Sequence, residues 1–312
     1  RMIDFGGLET ELHLRYPDST LFIRNLCDPG DTPGFRPRSG TNDPWAFSGA
    51  EQFQEEYATK SGSEGFFEKP DQWLTRLQAD VVIGFFGFNE SFQGEAKLQN
   101  FKDELEAWIL HSKSQRYNGK AAPQLALVSP IAFEDLSEIK DVPNGKLENE
   151  NLLRYTKAME EVAKKNQIVF VDAFTPSKSW YASTEEPLTL DGSQLNEAGY
   201  EKLAVLLADK VFGKADQKAI SHRDIIQEAV MEKNWFWHND YKIPNGVHVF
   251  GRRYDPFGPD NYPFELEKIR QMTAIRDTAI WEAGQGKVKD LQAADAKTKA
   301  LPDVTTNYNP EA

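Results

Sequence analysis

The sequence predicts an α/β domain of three layers, with a parallel, flavodoxin-like sheet between helices and a helical extension after it. Helical and strand-like segments take turns from the first residues to about residue 213, the pattern of a βα-alternating chain. Ala79–Phe86 (ADVVIGFF) is a nearly continuous apolar run, as a parallel strand covered on both faces requires. Loops rich in Gly, Asn and Asp follow the strand-like runs, where an open parallel sheet binds its ligands.

Residues 2–16 place Phe5, Leu8 and Leu12 on one helical stripe, which Tyr16-Pro17-Asp18-Ser19 ends as a turn. Thr20–Asn25 (TLFIRN) reads as a short apolar strand, and 26–45 as a connection long enough to be functional or mobile. After ADVVIGFF comes the polar loop 87–91. Leu98, Phe101, Leu105, Trp108 and Ile109 then form a helix stripe, with QLALV (124–128) as the next strand. Leu152, Tyr155, Thr156, Met159 and Val162 repeat the stripe, and IVFV (168–171) the strand. Residues 196–212 close the series as a helix through Leu203, Leu206, Leu207 and Val211, stopped by Gly213. The expected sheet has about five strands.

Residues 1–213 thus read as the α/β domain. Residues 214–284 form an extension with the aromatic run Trp235-Phe236-Trp237-His238 and one long helix over 263–282. It is too short for a well-populated core of its own, so its aromatic residues are expected to pack against the domain. The Lys-, Ala- and Asp-rich residues 285–312 read as a linker or docking tail.

Charge and cysteine content narrow the function. Forty-nine acidic against thirty-six basic residues give a net charge of -13, which repels nucleic-acid phosphates and anionic membranes, so no nucleic-acid partner is expected. Cys27 is the only cysteine, which excludes an intrachain disulfide, a CxxCH haem motif and a cysteine-rich zinc site. No cofactor and no metal are expected. No apolar run approaches the roughly 18 to 20 residues of a membrane span, and Arg1-Met2-Ile3-Asp4 lacks the layout of a signal peptide.

Three loops carry the chemistry: Pro29-Gly30-Asp31, Gly87-Phe88-Asn89, and Asp191-Gly192-Ser193-Gln194-Leu195-Asn196. Each alone consists of ordinary turn residues. Their order and placement resemble the SGNH (GDSL-type) hydrolase family over residues 1–213, the last block continuing as Glu197-Ala198-Gly199-Tyr200 into the final helix. The resemblance implies an ester hydrolase with Gly30 as oxyanion-hole glycine, Asn89 as oxyanion-hole asparagine, and Asp191 as the acid of an Asp-x-x-His block. A backbone N–H and a side-chain amide aimed at a developing oxyanion suit acyl transfer.

Two departures weigh against a complete triad. The GDS-type block with the nucleophilic Ser, and the first strand, would lie upstream of Arg1. Gln194 stands where the resemblance calls for His, and an amide cannot take and return the serine proton. Asp191 then loses the partner it would orient, and capping of the helix after Asn196 competes as the role of this segment.

Of the histidines, His13 and His111 read as surface or satisfied core positions and His222 as an exposed one, while His238 and His248 are candidate substitute bases. Trp235 and Trp237 can stack on a sugar, although packing of the extension is the commoner use. Arg252-Arg253 can meet a substrate carboxylate, but such pairs are more often structural.

The segments 232–238, 256–263 and 303–308 look like the GDSL-type domain at the start of large planctomycete and verrucomicrobial haem-binding dehydrogenase-like proteins. That resemblance implies a multi-domain parent protein exported to the periplasm or beyond, with its further domains as partners. Nothing in the composition shows haem binding. Two readings stay open: an esterase acting on carbohydrate esters, and a catalytically silent domain that binds a glycan or scaffolds an assembly. Gln194 favours the second. A nucleotide-binding flavodoxin-like module lacks the phosphate-cradling Gly-rich loop.

Overall fold

The computed structural model describes residues 2–38, 41, 43–54, 65–214, 222–243, 246–250 and 262–303. In chain order its principal elements are α1 (Met2–Phe5), α2 (Gly7–Arg15), α3 (Pro70–Arg76), β1 (Val81–Phe85), α4 (Phe88–Ser91), α5 (Leu98–Ser114), β2 (Gln124–Val128), α6 (Lys146–Lys165), β3 (Val169–Val171), α7 (Phe174–Ser183), α8 (Glu197–Leu207), α9 (Arg223–Tyr241), α10 (Gly246–Val249), α11 (Tyr262–Gly284) and α12 (Leu291–Asp295). Arg252 and Arg253, and most of the run 256–263, lie outside the described residues, as do the side chain of His248 and the tail beyond 303.

The strands are parallel in the order β1-β2-β3, with Gly84 opposite Leu127 and Leu127 opposite Phe170, while Phe85, Val128 and Val171 form the adjacent row. Because side chains alternate across a strand, these rows face opposite ways. Val128 and Val171, with Ile83 and Phe85, pack on Leu8 and Leu12 of α2 and Leu203 and Leu207 of α8. Leu125, Leu127 and Phe170 pack on Phe101, Leu105 and Ile109 of α5 and Tyr155, Met159 and Val162 of α6. The result is an α/β/α sandwich whose apolar stripes are those read from the helical period.

Three expectations are corrected. The helix expected over 2–16 breaks at Gly6, which takes a left-handed φ of 64°. A Cβ there would lie 2.8 Å from Val230 Cγ1, so close approach of α9 as well as backbone geometry requires glycine. Thr20–Asn25 is not a strand, and the described sheet has three strands rather than about five. Side chains of the extension take the carbonyls that a ladder would use: Trp281 Nε1 donates to Leu21 O at 3.1 Å, Lys233 Nζ to Ile23 O at 3.0 Å, and Trp237 Nε1 to Asn25 O at 2.8 Å. Lys233 and Trp237 reach these carbonyls from α9 and Trp281 from α11, so two helices of the extension together satisfy all three.

The extension lies against the outer side of α2. Leu14, Ile226, Val230, Ile280 and Ala283 form one cluster across α2, α9 and α11, and Trp237 and Tyr241 join Phe67 and Trp73 in another. Charge ties the extension further: Arg24, between α2 and α3, pairs with Asp277 of α11 through two bonds of 2.9 and 2.5 Å, and Lys233 of α9 with Glu9 of α2 at 2.7 Å. The described part of the tail docks on α11 by polar contacts, Arg276 to Asp295 at 2.6 Å and Lys268 to Thr298 at 2.7 Å.

Candidate active site

Strand β1 ends at Phe85, and Gly87 turns the chain with a φ of 94° into α4, on which Asn89 is exposed. A Cβ on Gly87 would lie 3.0 Å from Met159 Sδ and 3.3 Å from Pro130, so glycine is required both by conformation and by the close approach of the chain after β2. Asn89 Nδ2 donates to Asp31 O at 3.4 Å, one residue beyond Gly30. Gly30 is exposed with a φ of 92°, and its N–H has no acceptor among the described residues. The two donors singled out from the sequence therefore stand next to each other at the carboxyl end of the sheet, both open to solvent.

Charged side chains behind Gly30 hold its loop. Arg36 donates to Asp31 at 2.9 Å and to Leu26 O at 2.6 Å; Arg38 pairs with Asp28 and donates to Tyr241 at 2.6 Å. Lys242, just past α9, pairs with Asp28 at 3.1 Å. Burial pushes the Asp31 carboxyl up, against the pull of Arg36.

Asp191 lies on a loop packed against the segment after β2. Gly192 O accepts from Glu134 N at 2.8 Å, and Gly192 sits on Phe133. The buried Glu134 carboxylate accepts from Leu188 N, Thr189 N and Thr189 Oγ1 at 3.1, 2.7 and 2.6 Å, a clamp that sequence reading missed because its donors lie over fifty residues away. Asp191 Oδ1 accepts from Ser193 N, Ser193 Oγ and Gln194 N at 2.9, 3.0 and 2.8 Å, so this oxygen shapes its own loop. The Gln194 side chain is exposed.

Asn196 caps α8: its side chain accepts from Gly199 N at 3.0 Å and donates to Pro187 O at 2.7 Å. Asn196→Ala is expected to cost about 1 kcal/mol of stability. Urea denaturation of the two chains measures it, and an unchanged midpoint would show that the cap contributes nothing.

The histidines divide clearly. His13 is buried with Nε2 3.8 Å from Glu9, and His111 Nε2 lies 2.8 Å from Asp71 with its ring stacked on Phe47, so both are structural. His222 is exposed and begins α9. His238 is exposed on α9, one turn before Lys242, which pairs with Asp28. Burial and Lys242 lower its pKa, favouring the neutral imidazole that a base needs. Trp237 is buried and stacked on Tyr241, whereas Trp235 is 63% exposed, so the two do not form one sugar platform.

Two buried glutamates next to the donors also escaped sequence reading. Glu90 Oε2 accepts from Gly87 N at 2.9 Å, and Glu104 Oε1 accepts from Thr32 Oγ1 and Gly34 N at 2.6 and 2.8 Å. The signals were present: Gly87-x-x-Glu90 has capping-box spacing, and Glu104 falls on the apolar stripe of Phe101, Leu105 and Trp108. Among the described residues no cluster of His, Cys, Asp and Glu is arranged to hold a metal, and no helix is long and apolar enough to cross a membrane.

No protein-family model and no curated protein matches the sequence. Among solved structures, the chain is similar to a catalytic mutant of an acetylxylan esterase from Geobacillus stearothermophilus, at 17% identity over 45% of this chain and 62% of that one, with a TM-score of 0.34. It is also similar to a lipase/acylhydrolase from Enterococcus faecalis, at 20% identity over 58% of this chain and 93% of that one, with a TM-score of 0.33. The chain thus spans less than two thirds of the acetylxylan esterase it resembles.

Proposed function

We propose that residues 1–213 form an SGNH-type, esterase-like domain that receives a small carbohydrate ester, with Gly30 and Asn89 as its oxyanion donors. The observation that carries this reading is the meeting of an exposed, unpaired Gly30 N–H with the exposed Asn89 amide. Donors aimed at developing charge act only on a nucleophile that is present. Asp191 engages its own loop, and Gln194 cannot serve as a base. The domain is therefore silent toward simple esters and holds an ester or glycan without turning it over. His238, one turn before the Lys242 that pairs with Asp28, is the base that the extension (214–284) would supply if turnover occurs, and His248 is its alternate. Residues 285–312 are the connection to further domains of an exported parent protein.

Hydrolysis of p-nitrophenyl acetate by the chain and its Gln194→His and Asn89→Ala variants tests the reading, with all three expected at background. Turnover by the unmodified chain that disappears in Asn89→Ala would overturn silence and establish the esterase. Its further loss in His238→Ala would identify the base.

A further inference from the structure

Phe88 and Phe92 bracket Asn89, one at the start of α4 and the other just past its end, with their rings edge to face at 5.3 Å between centroids. Phe88 packs inward on the cluster of Leu152 and Phe174, while Phe92 stays 68% exposed. Leu147, in the first turn of α6, is 64% exposed and lines the same groove, with the buried Leu152. Tyr155 of α6 donates to Gly94 O at 2.9 Å, which ties the segment after α4 to this helix. The cavity between them measures about 90 Å³, the liquid volume of about three waters. Because α4 follows the end of β1 and α6 starts from the loop after β2, the groove sits at the carboxyl end of the sheet, as Asn89 does. Glu148 and Asn151 add polar groups to its lining. The Glu148 side chain makes no hydrogen bond or ion pair among the described residues, and Asn151 Oδ1 accepts from Arg154 at 2.9 Å, which leaves its NH2 as a donor.

We propose that this groove is a sugar subsite of the candidate active site, taking one neutral pyranose ring with its C–H face on Phe92 and its hydroxyls on Glu148 and Asn151. The inference rests on the Gly30/Asn89 reading above, and it names the side of the ester that the groove would hold, the sugar alcohol. A pyranose presents an apolar face of ring C–H groups and an edge of hydroxyls that both donate and accept. An exposed aromatic ring beside a carboxylate and an amide matches both parts. An acyl chain would fill the same space but would cover Glu148 without giving it a hydrogen bond, at a cost in desolvation. An anionic ligand would meet the Glu148 carboxylate and be repelled.

Two-dimensional amide NMR of the full chain, titrated to about 100 mM with each of the neutral disaccharides cellobiose, xylobiose and chitobiose, tests it. The expected result is a saturable shift of the amides of residues 88–92 and 147–152 with at least one of them, at a Kd of about 10 mM. Phe92→Ala is expected to weaken that binding about tenfold and Glu148→Gln about threefold. Trp235→Ala, which removes a comparably exposed ring on α9, leaves it unchanged. The same spectra show that each variant is folded, since both groove substitutions fall on side chains that reach solvent. No saturable shift with any of the three sugars, binding unmoved by Phe92→Ala or by Glu148→Gln, or binding lost in Trp235→Ala would overturn the proposal. 1-Hexanol shifting the same amides at lower concentration than every sugar would overturn it in favour of an acyl pocket. The probes carry no carboxylic ester and no turnover is read, so a failed esterase assay and an empty groove are distinguishable.

Discussion

Lys233→Ala is expected to destabilise the fold by about 3–5 kcal/mol. Lys233 is fully buried, and its Nζ donates to Glu9 Oε2 at 2.7 Å, Asn234 Oδ1 at 2.7 Å and Ile23 O at 3.0 Å. All three ammonium hydrogens are thus used, and one bond reaches each of α2, α9 and the segment 20–25. Burial alone would raise the Glu9 pKa, but Lys233, with His13, more than offsets it and leaves Glu9 below its ordinary value, on the ionised side. Its Oε1 is already buried without a hydrogen-bond partner. Removing the cation leaves a carboxylate in the interior and an unsatisfied carbonyl at Ile23, the costly way to break such a pair. Replacing both partners by apolar residues, Glu9→Leu with Lys233→Met, is expected to cost less than Lys233→Ala alone. Urea unfolding of the three chains decides it: a Lys233→Ala loss under about 1 kcal/mol would mean that water reaches Glu9.

Gly192→Ala is expected to cost roughly 3 kcal/mol, combining overpacking with left-handed strain. Gly192 has a φ of 87°, and a Cβ there would stand 2.3 Å from Phe133 Cε1, 2.5 Å from Phe133 Cζ and 2.9 Å from Glu134 O. The backbone oxygen cannot swing aside, and Glu134 is held by its own bonds to Leu188 and Thr189. Gly30→Ala is the control, since Gly30 has a φ of 92° but nothing within 4 Å of an added Cβ. It should cost only the conformational part, about 1 kcal/mol. Equal thermal shifts in the two variants would show that the Asp191 loop moves freely away from Phe133.

How much of the site was legible depends on how local each contact is. Asn89 was visible because it follows β1 within a few residues, where the chain leaves the carboxyl end of a parallel strand; Gly30 was reached through a strand reading of Thr20–Asn25 that the structure does not bear out. Glu134 was not visible, because its donors at 188 and 189 become neighbours only when the Asp191 loop folds onto the chain after β2. The role of Asp191 Oδ1 within its own loop is local, and the Asp-x-Ser-Gln spacing of an Asx turn already hinted at it.

The amino-acid sequence by itself determined the layers and their faces. Strand and helix periods place Leu125 and Leu127 on one side of the sheet with Phe101 and Leu105, and Val128 on the other with Leu8 and Leu203. Such patterns act over a few residues and survive without knowledge of distant partners. Only the tertiary structure decided what Thr20–Asn25 became. Its composition is that of a strand, yet Trp281, Lys233 and Trp237, more than two hundred residues away, hold its carbonyls in place of a neighbouring strand. A backbone carbonyl must be satisfied but is indifferent to whether a ladder or a side chain does so, and that choice depends on which helix arrives beside it.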